Sequence, residues 1–227
     1  MVKQERAVRT RESLVRAAAE VFAEEGYETA SIATISKRAG VSTGGLHFHF
    51  GSKTALAEAV VDRAAESLRM ITVSRLAGAN PLQSLVDSTH DLVALLARDA
   101  VVSAAFGLVA GNGARSAVGR ERGWAVRRQW QRWVEAMFHE AAAEGLLAEG
   151  VSPRDAAAAV VAAIVGFEVL GTDRREWSSR SSLTRYWGLM LPQLVARHRL
   201  DDVSAGGSGP ATAARSARAG DRPAQAS

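Results

Sequence analysis

The placement of proline constrains this chain more than any other feature. Its five prolines stand at 81, 153, 192, 210 and 223, which leaves residues 1–80 and 82–152 without any. Proline removes a backbone donor and clashes inside a helix, so long proline-free stretches whose apolar residues recur every three or four positions predict helices. The expected fold class is all-α. The spacing predicts helices over about 5–25, 31–40, 42–50, 52–76, 82–98, 100–110, 122–144, 153–171 and 182–199. In the first, Leu14, Ala17, Ala18, Val21, Phe22 and Ala23 line one face, and Gly26 supplies the left-handed conformation that ends a helix. Ser31, Ser42 and Ser52 are cap residues for the next three. Ser152-Pro153-Arg154-Asp155 combines a capping serine, proline at the first helical position and an acid near the positive helix end.

These signals divide the chain into a three-helix unit, 1–51, a linking helix, 52–76, and a larger helical unit, 77–200. From 201 to 227 the composition turns to Gly, Ala, Ser, Pro and scattered Arg, with little to bury, and a disordered tail is expected. With 47% hydrophobic and 23% charged residues over 227 positions, the chain is expected to be globular. It has no cysteine, which excludes disulfides, thiolate zinc sites and cysteine nucleophiles. The N-terminus carries Lys3, Arg6, Arg9 and Arg11 without an apolar signal core, and no apolar run approaches the roughly 20 residues of a membrane span. A cytoplasmic, nucleoid-associated protein without membrane contact is expected. The formal charge of +4 and the isoelectric point near 10.1 favour a polyanionic partner.

Residues 31–50 hold two short helices joined by Gly40-Val41-Ser42, the pattern of a helix-turn-helix whose second helix enters the DNA major groove. Leu46 and Phe50, at i and i+4, face the core with Val41. Thr43, Gly44, Gly45, His47, Phe48 and His49 fall nearer the surface. Two glycines inside a helix each cost about 1 kcal/mol relative to alanine. Either the backbone here must come close to a phosphate or base edge, or Gly44-Gly45 opens an irregular loop and the histidines are surface residues.

The string from Ser31 to Lys53, S-I-A-T-I-S-K-R-A-G-V-S-T-G-G-L-H-F-H-F-G-S-K, resembles the DNA-binding domain of the TetR family of transcriptional regulators. Four further segments, K-Q-E-R-A-V-R-T-R-E near the start, A-A-A-E-V-F-A-E-E-G-Y at 17–27, F-H-F at 48–50 and W-G-L-M-L-P-Q-L-V at 187–195, resemble the γ-butyrolactone receptors of actinomycetes, and the likeness covers about residues 3–198. It implies a homodimeric repressor that binds palindromic duplex DNA and is released by a small hydrophobic signalling molecule. The DNA contacts it implies are Arg6, Arg9, Ser31, Thr43, Gly44, Gly45, His47, Phe48, His49 and Lys53. Members of that branch read Lys-Gly-Ala-Leu-Tyr-Phe-His-Phe where this chain has Thr43 to Phe50, so a lysine is replaced by Thr43 and a phosphate-binding tyrosine by His47, and operator preference is expected to differ.

The same resemblance implies a ligand pocket around Trp130, which stands 15 residues before Gly145-Leu146, with Phe106, Val109, Trp133, Ile164 and Phe167 as further lining. Trp124 and Trp133 are rivals for the inward position, and core packing without any ligand is the alternative role for Trp130. Relatives place a glutamine near position 64 and a threonine just before the glycine matching Gly166; Ala64 and Ala163-Ile164 lack those polar handles. The ligand is therefore expected to be less polar or chemically different, and a pseudo-receptor that senses an antibiotic or a partner protein is the competing reading. Dimerisation is expected on 153–171 and 182–199, through Ala156 to Ala159, Val160, Val161, Ala163, Ile164, Leu183, Trp187, Leu191 and Leu194.

Other constellations carry less. His47 and His49 point some 200° apart on a helix and cannot share one metal ion. Gly51-Ser52-Lys53-Thr54 lacks the strand and spacing of a P-loop. Arg115, Arg120, Arg122, Arg127, Arg128 and Arg132 gather around Trp124, Trp130 and Trp133, either as a nucleic-acid face or, more in keeping with arginine chemistry, as stems covering apolar surface with their heads in water. No nucleophile motif is present, and neither an enzyme nor a metal or cofactor is expected.

Overall fold

The computed structural model describes residues 2–76, 80–110 and 117–208. Among them the chain forms helices α1 (Val2–Glu25), α2 (Ile32–Ala39), α3 (Thr43–His49), α4 (Lys53–Leu76), α5 (Pro81–Arg98), α6 (Ala100–Ala110), α7 (Ala117–Ala143), α8 (Pro153–Asp173) and α9 (Arg180–Leu194), followed by a 3-10 turn at Arg197–Asp202. The fold is all-α; the one β feature among the described residues is an isolated bridge between Leu147 and Val195.

The caps form as the sequence requires. Ser31 Oγ accepts from the Thr34 amide at 3.0 Å, Ser42 Oγ from Gly45 at 3.1 Å, Ser52 Oγ from Ala55 at 3.1 Å and Ser152 Oγ from Asp155 at 3.3 Å. Gly40 closes α2 at φ 67, where a side chain would be strained. On α1, Leu14, Ala17, Ala18, Val21 and Phe22 are buried, whereas Ala23 is exposed. Helix α1 packs on α2, α4 and α6, and α4 continues from the small N-terminal unit into the large one, where it meets α5, α6 and α7. Leu56, Val60, Ala64 and Leu68 of α4 are fully buried. One helix thus carries core contacts of both units, which makes it the mechanical link between them.

Helix α7 starts five residues before the expected 122, and two boundaries near the C-terminus also differ from the sequence expectation. Helix α9 stops at Leu194, not near 199, because Val195 is extended (ψ 137) and its strand-like segment bonds to the 146–148 turn. The Ala148 amide donates to Leu194 at 2.9 Å and Ala196 to Leu146 at 2.8 Å. The expectation of disorder from 201 fails for the first eight residues of that segment. Val203 is buried, the Ser204 amide donates to Gln83 Oε1 and the Ser208 amide to Asp87 Oδ1, both at 2.7 Å, and His90 Nε2 donates to the Ala205 carbonyl at 3.0 Å. Gly207, at φ 73, runs so close to α5 that a Cβ would stand 3.0 Å from Asp87 Oδ1. Backbone donors and acceptors, invisible to a hydrophobicity pattern, hold this strap.

Candidate functional site

Helix α3 is a seven-residue element fixed by its two ends. Leu46 and Phe50 are buried in the core, and the Phe50 amide donates to the Leu46 carbonyl at 2.8 Å. Their burial turns Thr43, Gly44, His47 and Phe48 outward, all exposed, with His49 half-buried. Phe48 is 85% exposed, the most exposed of the large apolar side chains described, and its ring meets His49 edge-on at 5.3 Å. An unburied phenylalanine forgoes about 1.5–3 kcal/mol of transfer free energy, so this surface is costly unless something covers it. Arg6 and Arg9 on α1 are exposed; the Lys3 side chain lies outside the described residues.

The two glycines of α3 serve different ends. A Cβ on Gly45 would lie 2.9 Å from Val41 Cγ1 and 3.2 Å from Ser42 Oγ, so a side chain here is accommodated only if Val41 shifts, and the inward face of the turn is tightly filled. A Cβ on Gly44 would meet nothing within 4 Å, and Gly44 alone leaves open space on the outer face.

Lys53 also departs from the expected phosphate role. Its ammonium donates to the carbonyls of Tyr27 at 2.8 Å and of Glu28 and Ala30 at 3.0 Å, and it lies 4.7 Å from the Tyr27 ring centroid. Three donors meet three acceptors, which leaves none for DNA. Lys53 is a lock on the turn between α1 and α2. Arg38 fastens the same unit, bonding both carboxylate oxygens of Glu24 at 2.6 Å; exposed pairs of this kind contribute little individually. Ser31 is exposed, with its hydroxyl committed to the cap of α2.

In the larger unit Phe106, Trp130, Ile164 and Phe167 are buried, and Trp133 is half-buried with its ring stacked on Trp130 at 5.2 Å. The indole N–H groups of Trp130 and Trp133 have no hydrogen-bond partner, unusual for buried donors. Trp124 is 48% exposed, which removes it as a rival. The side chains of Val109, Arg120 and Arg122 lie outside what the structure describes, as does Arg115 altogether. Arg128 and Arg132 are exposed as expected of solvated arginines, but Arg127 is not. Its guanidinium is nine-tenths buried, pairs with the equally buried Glu168 of α8, and sits 5.5 Å from the Phe106 ring centroid. Burial pushes the Glu168 carboxyl above its ordinary pKa, a shift that the charge of Arg127 opposes. Sequence reasoning missed this pair because its members are 41 residues apart; the signal available was an acid on an otherwise apolar helix.

The expected dimer residues are mostly committed inside the subunit. Ala156, Ala157, Val160, Ile164, Leu183, Trp187, Leu191 and Leu194 are buried within the single chain, and the Trp187 indole donates to Thr89 Oγ1 at 2.8 Å. What α8 and α9 leave outside are Ala158, Ala159, Ala162, Val169 and Leu170, with Leu189 at 76% exposure.

Comparison with known proteins gives the arrangement its place. Residues 14–60 match the model of bacterial regulatory proteins of the tetR family. The chain is 32% identical over 199 residues to the A-factor receptor protein of Streptomyces griseus, covering 86% of this chain and 67% of that protein. The chain belongs to the TetR family of transcriptional regulators. Within that family it stands in the γ-butyrolactone-receptor branch, to which the A-factor receptor likeness assigns it. TylP, a TetR regulator from Streptomyces fradiae, superposes with a TM-score of 0.68 at 29% identity, covering 88% of this chain and 93% of TylP. A γ-butyrolactone receptor described as ArpA-like superposes at TM-score 0.70 over 87% of this chain and 93% of its own; at 22% identity this likeness speaks for the fold alone. In this TetR-family regulator, α2 and α3 form the helix-turn-helix of the DNA-binding unit.

Proposed function

We propose that the protein is a homodimeric, cytoplasmic repressor that binds a palindromic operator and is released by a small hydrophobic signal such as a γ-butyrolactone-type molecule. The outer face of α3 carries the reading: Thr43, Gly44, His47 and Phe48 are held toward solvent by the burial of Leu46 and Phe50. Arg6 and Arg9 on α1 are the phosphate-contacting residues, and His49 flanks the base-reading face. Exposed Ala159, Ala162, Val169, Leu170 and Leu189 supply the apolar surface through which two subunits meet. The signal occupies the neighbourhood of Trp130, where Phe106, Trp133, Ile164 and Phe167 gather and two indole donors await an acceptor.

Release is a population shift. The signal stabilises a spacing of the two α3 helices other than the roughly 34–36 Å that successive major grooves require, and α4 transmits the change because it is built into both cores. The pseudo-receptor reading draws its support from Ala64 and Ala163, which offer a lactone no polar partner. Footprinting on genomic fragments tests the proposal: a two-fold symmetric protected site supports it, and protection without symmetry counts against it. Trp130→Ala separates the two ligand readings. A receptor loses its response to a lactone and keeps its operator affinity, whereas a pseudo-receptor shows no lactone response in either form.

A further inference from the structure

A cleft of about 720 Å³ lies between the end of α1, with its following turn, and helices α5, α6 and α8. Its walls include Phe22, Tyr27, Leu96, Leu108 and Phe167, and Glu168 also lines it. The volume falls within the roughly 300–1,000 Å³ of small-molecule sites, and beside these apolar walls the lining carries Ser103, Thr172, Arg175 and Ser178. The Glu168 side chain is nine-tenths buried, and while one carboxylate oxygen pairs with Arg127, Oε2 has no hydrogen-bond partner. A buried acceptor left unpaired is rare in native proteins. Gly107 of α6 also lines the cleft, and a Cβ there would meet nothing within 4 Å.

We infer that this cleft, which shares the Phe167 wall with the neighbourhood of Trp130, is a second small-molecule site, for an apolar molecule bearing a hydroxyl group that donates to Glu168 Oε2. Because Arg127 already neutralises Glu168, a neutral hydroxyl satisfies the free oxygen without adding charge to a buried place. The occupant also touches the DNA-binding unit. Tyr27, on the cleft wall, accepts from Lys53 at 2.8 Å through its carbonyl, and its hydroxyl lies 3.3 Å from Thr54 Oγ1, so the cleft adjoins the first turn of α4. Any effect on operator affinity rests on the proposed repressor function; the binding step does not.

Two isomers serve as probes: 1-octanol, which donates a hydrogen bond, and methyl heptyl ether, which cannot. Titration calorimetry of the full chain is expected to show 1-octanol binding at least tenfold more tightly. Glu168→Gln removes the charged acceptor, and the preference is expected to fall below threefold. Gly107→Leu fills the open space in the cleft and is expected to weaken both isomers at least tenfold without lowering the melting temperature. Equal affinity of the isomers for the wild type, an undiminished preference in Glu168→Gln, or unchanged binding in Gly107→Leu would each overturn the assignment. Failure of the repressor reading is separately visible, as a lack of sequence-specific DNA binding that leaves the isomer preference intact.

Discussion

Lys53 Nζ lies 2.8 Å from the carbonyl oxygen of Tyr27 and 4.7 Å from the centroid of that residue's ring, so one side chain closes the turn after α1 and opens α4. The relationship separates two kinds of cation in the DNA-binding unit, those that hold its shape and those free to meet phosphate. Lys53→Met is expected to cost about 1–3 kcal/mol of stability, since a half-buried charge-assisted network loses its donor. Its operator affinity should drop with no change in the slope of log affinity against log salt. Arg9→Ala should leave stability within about 0.5 kcal/mol and reduce that slope by about 1. Thermal unfolding and salt-dependent anisotropy on the two variants check the contrast.

The adjacent glycines of α3 should respond in opposite ways. Gly45→Ala places a methyl group 2.9 Å from Val41 Cγ1 and is expected to destabilise the unit. Gly44→Ala meets nothing within 4 Å and should stabilise α3 by up to about 1 kcal/mol, while lowering affinity for the operator by obstructing its close approach. Melting temperature and operator affinity measured on both variants distinguish a turn requirement from a recognition requirement.

At the proposed subunit interface, Leu189→Glu is expected to yield soluble monomers, because Leu189 is 76% exposed in the single chain. Leu191→Glu should instead prevent folding, since Leu191 is 3% exposed and an unpaired buried charge is far more costly than an exposed one. Sedimentation velocity and circular dichroism report the two outcomes.

Much of this architecture is legible in the sequence because it rests on local rules. Serines at 31, 42, 52 and 152 cap helices with the spacing a cap demands, and the alternation of buried and exposed positions on α3 follows from Leu46 and Phe50 being four apart. What was not legible depends on partners distant in sequence. The Lys53 ammonium is captured by three backbone carbonyls, the Arg127 guanidinium by Glu168, and the Gly207 strap by Asp87 and His90. The dimer expectation included apolar residues that a single subunit already buries: Trp187 and Leu191 are covered within the chain, and the Trp187 indole is bonded to Thr89 of α5.

The C-terminal strap should be sensitive to acid. His90 is 6% exposed, and burial lowers its pKa below the usual 6.5; the Ala205 carbonyl, Asp87 and Asp91 oppose that shift and Arg180 reinforces it. A folded state that binds a proton less readily than the unfolded chain is stabilised at higher pH. The contribution of neutral His90 is therefore complete above about pH 6.5 and is lost as the pH falls through the lower folded value. Between pH 7.5 and 5, the melting temperature of the wild type is expected to fall more steeply than that of His90→Gln. Parallel curves would show that His90 does not titrate against folding.

The central claim is that the outer face of α3 reads DNA sequence, and one titration addresses it most directly. Fluorescence anisotropy at 150 mM salt, with the footprinted site and a scrambled duplex of equal length, gives the ratio of specific to non-specific affinity. A value of about 10³ or more is predicted for the wild type, collapsing toward 1 in a Thr43→Ala/His47→Ala variant whose circular dichroism is unchanged. Equal affinity of the wild type for both duplexes, or an undiminished ratio in the double variant, would contradict the account.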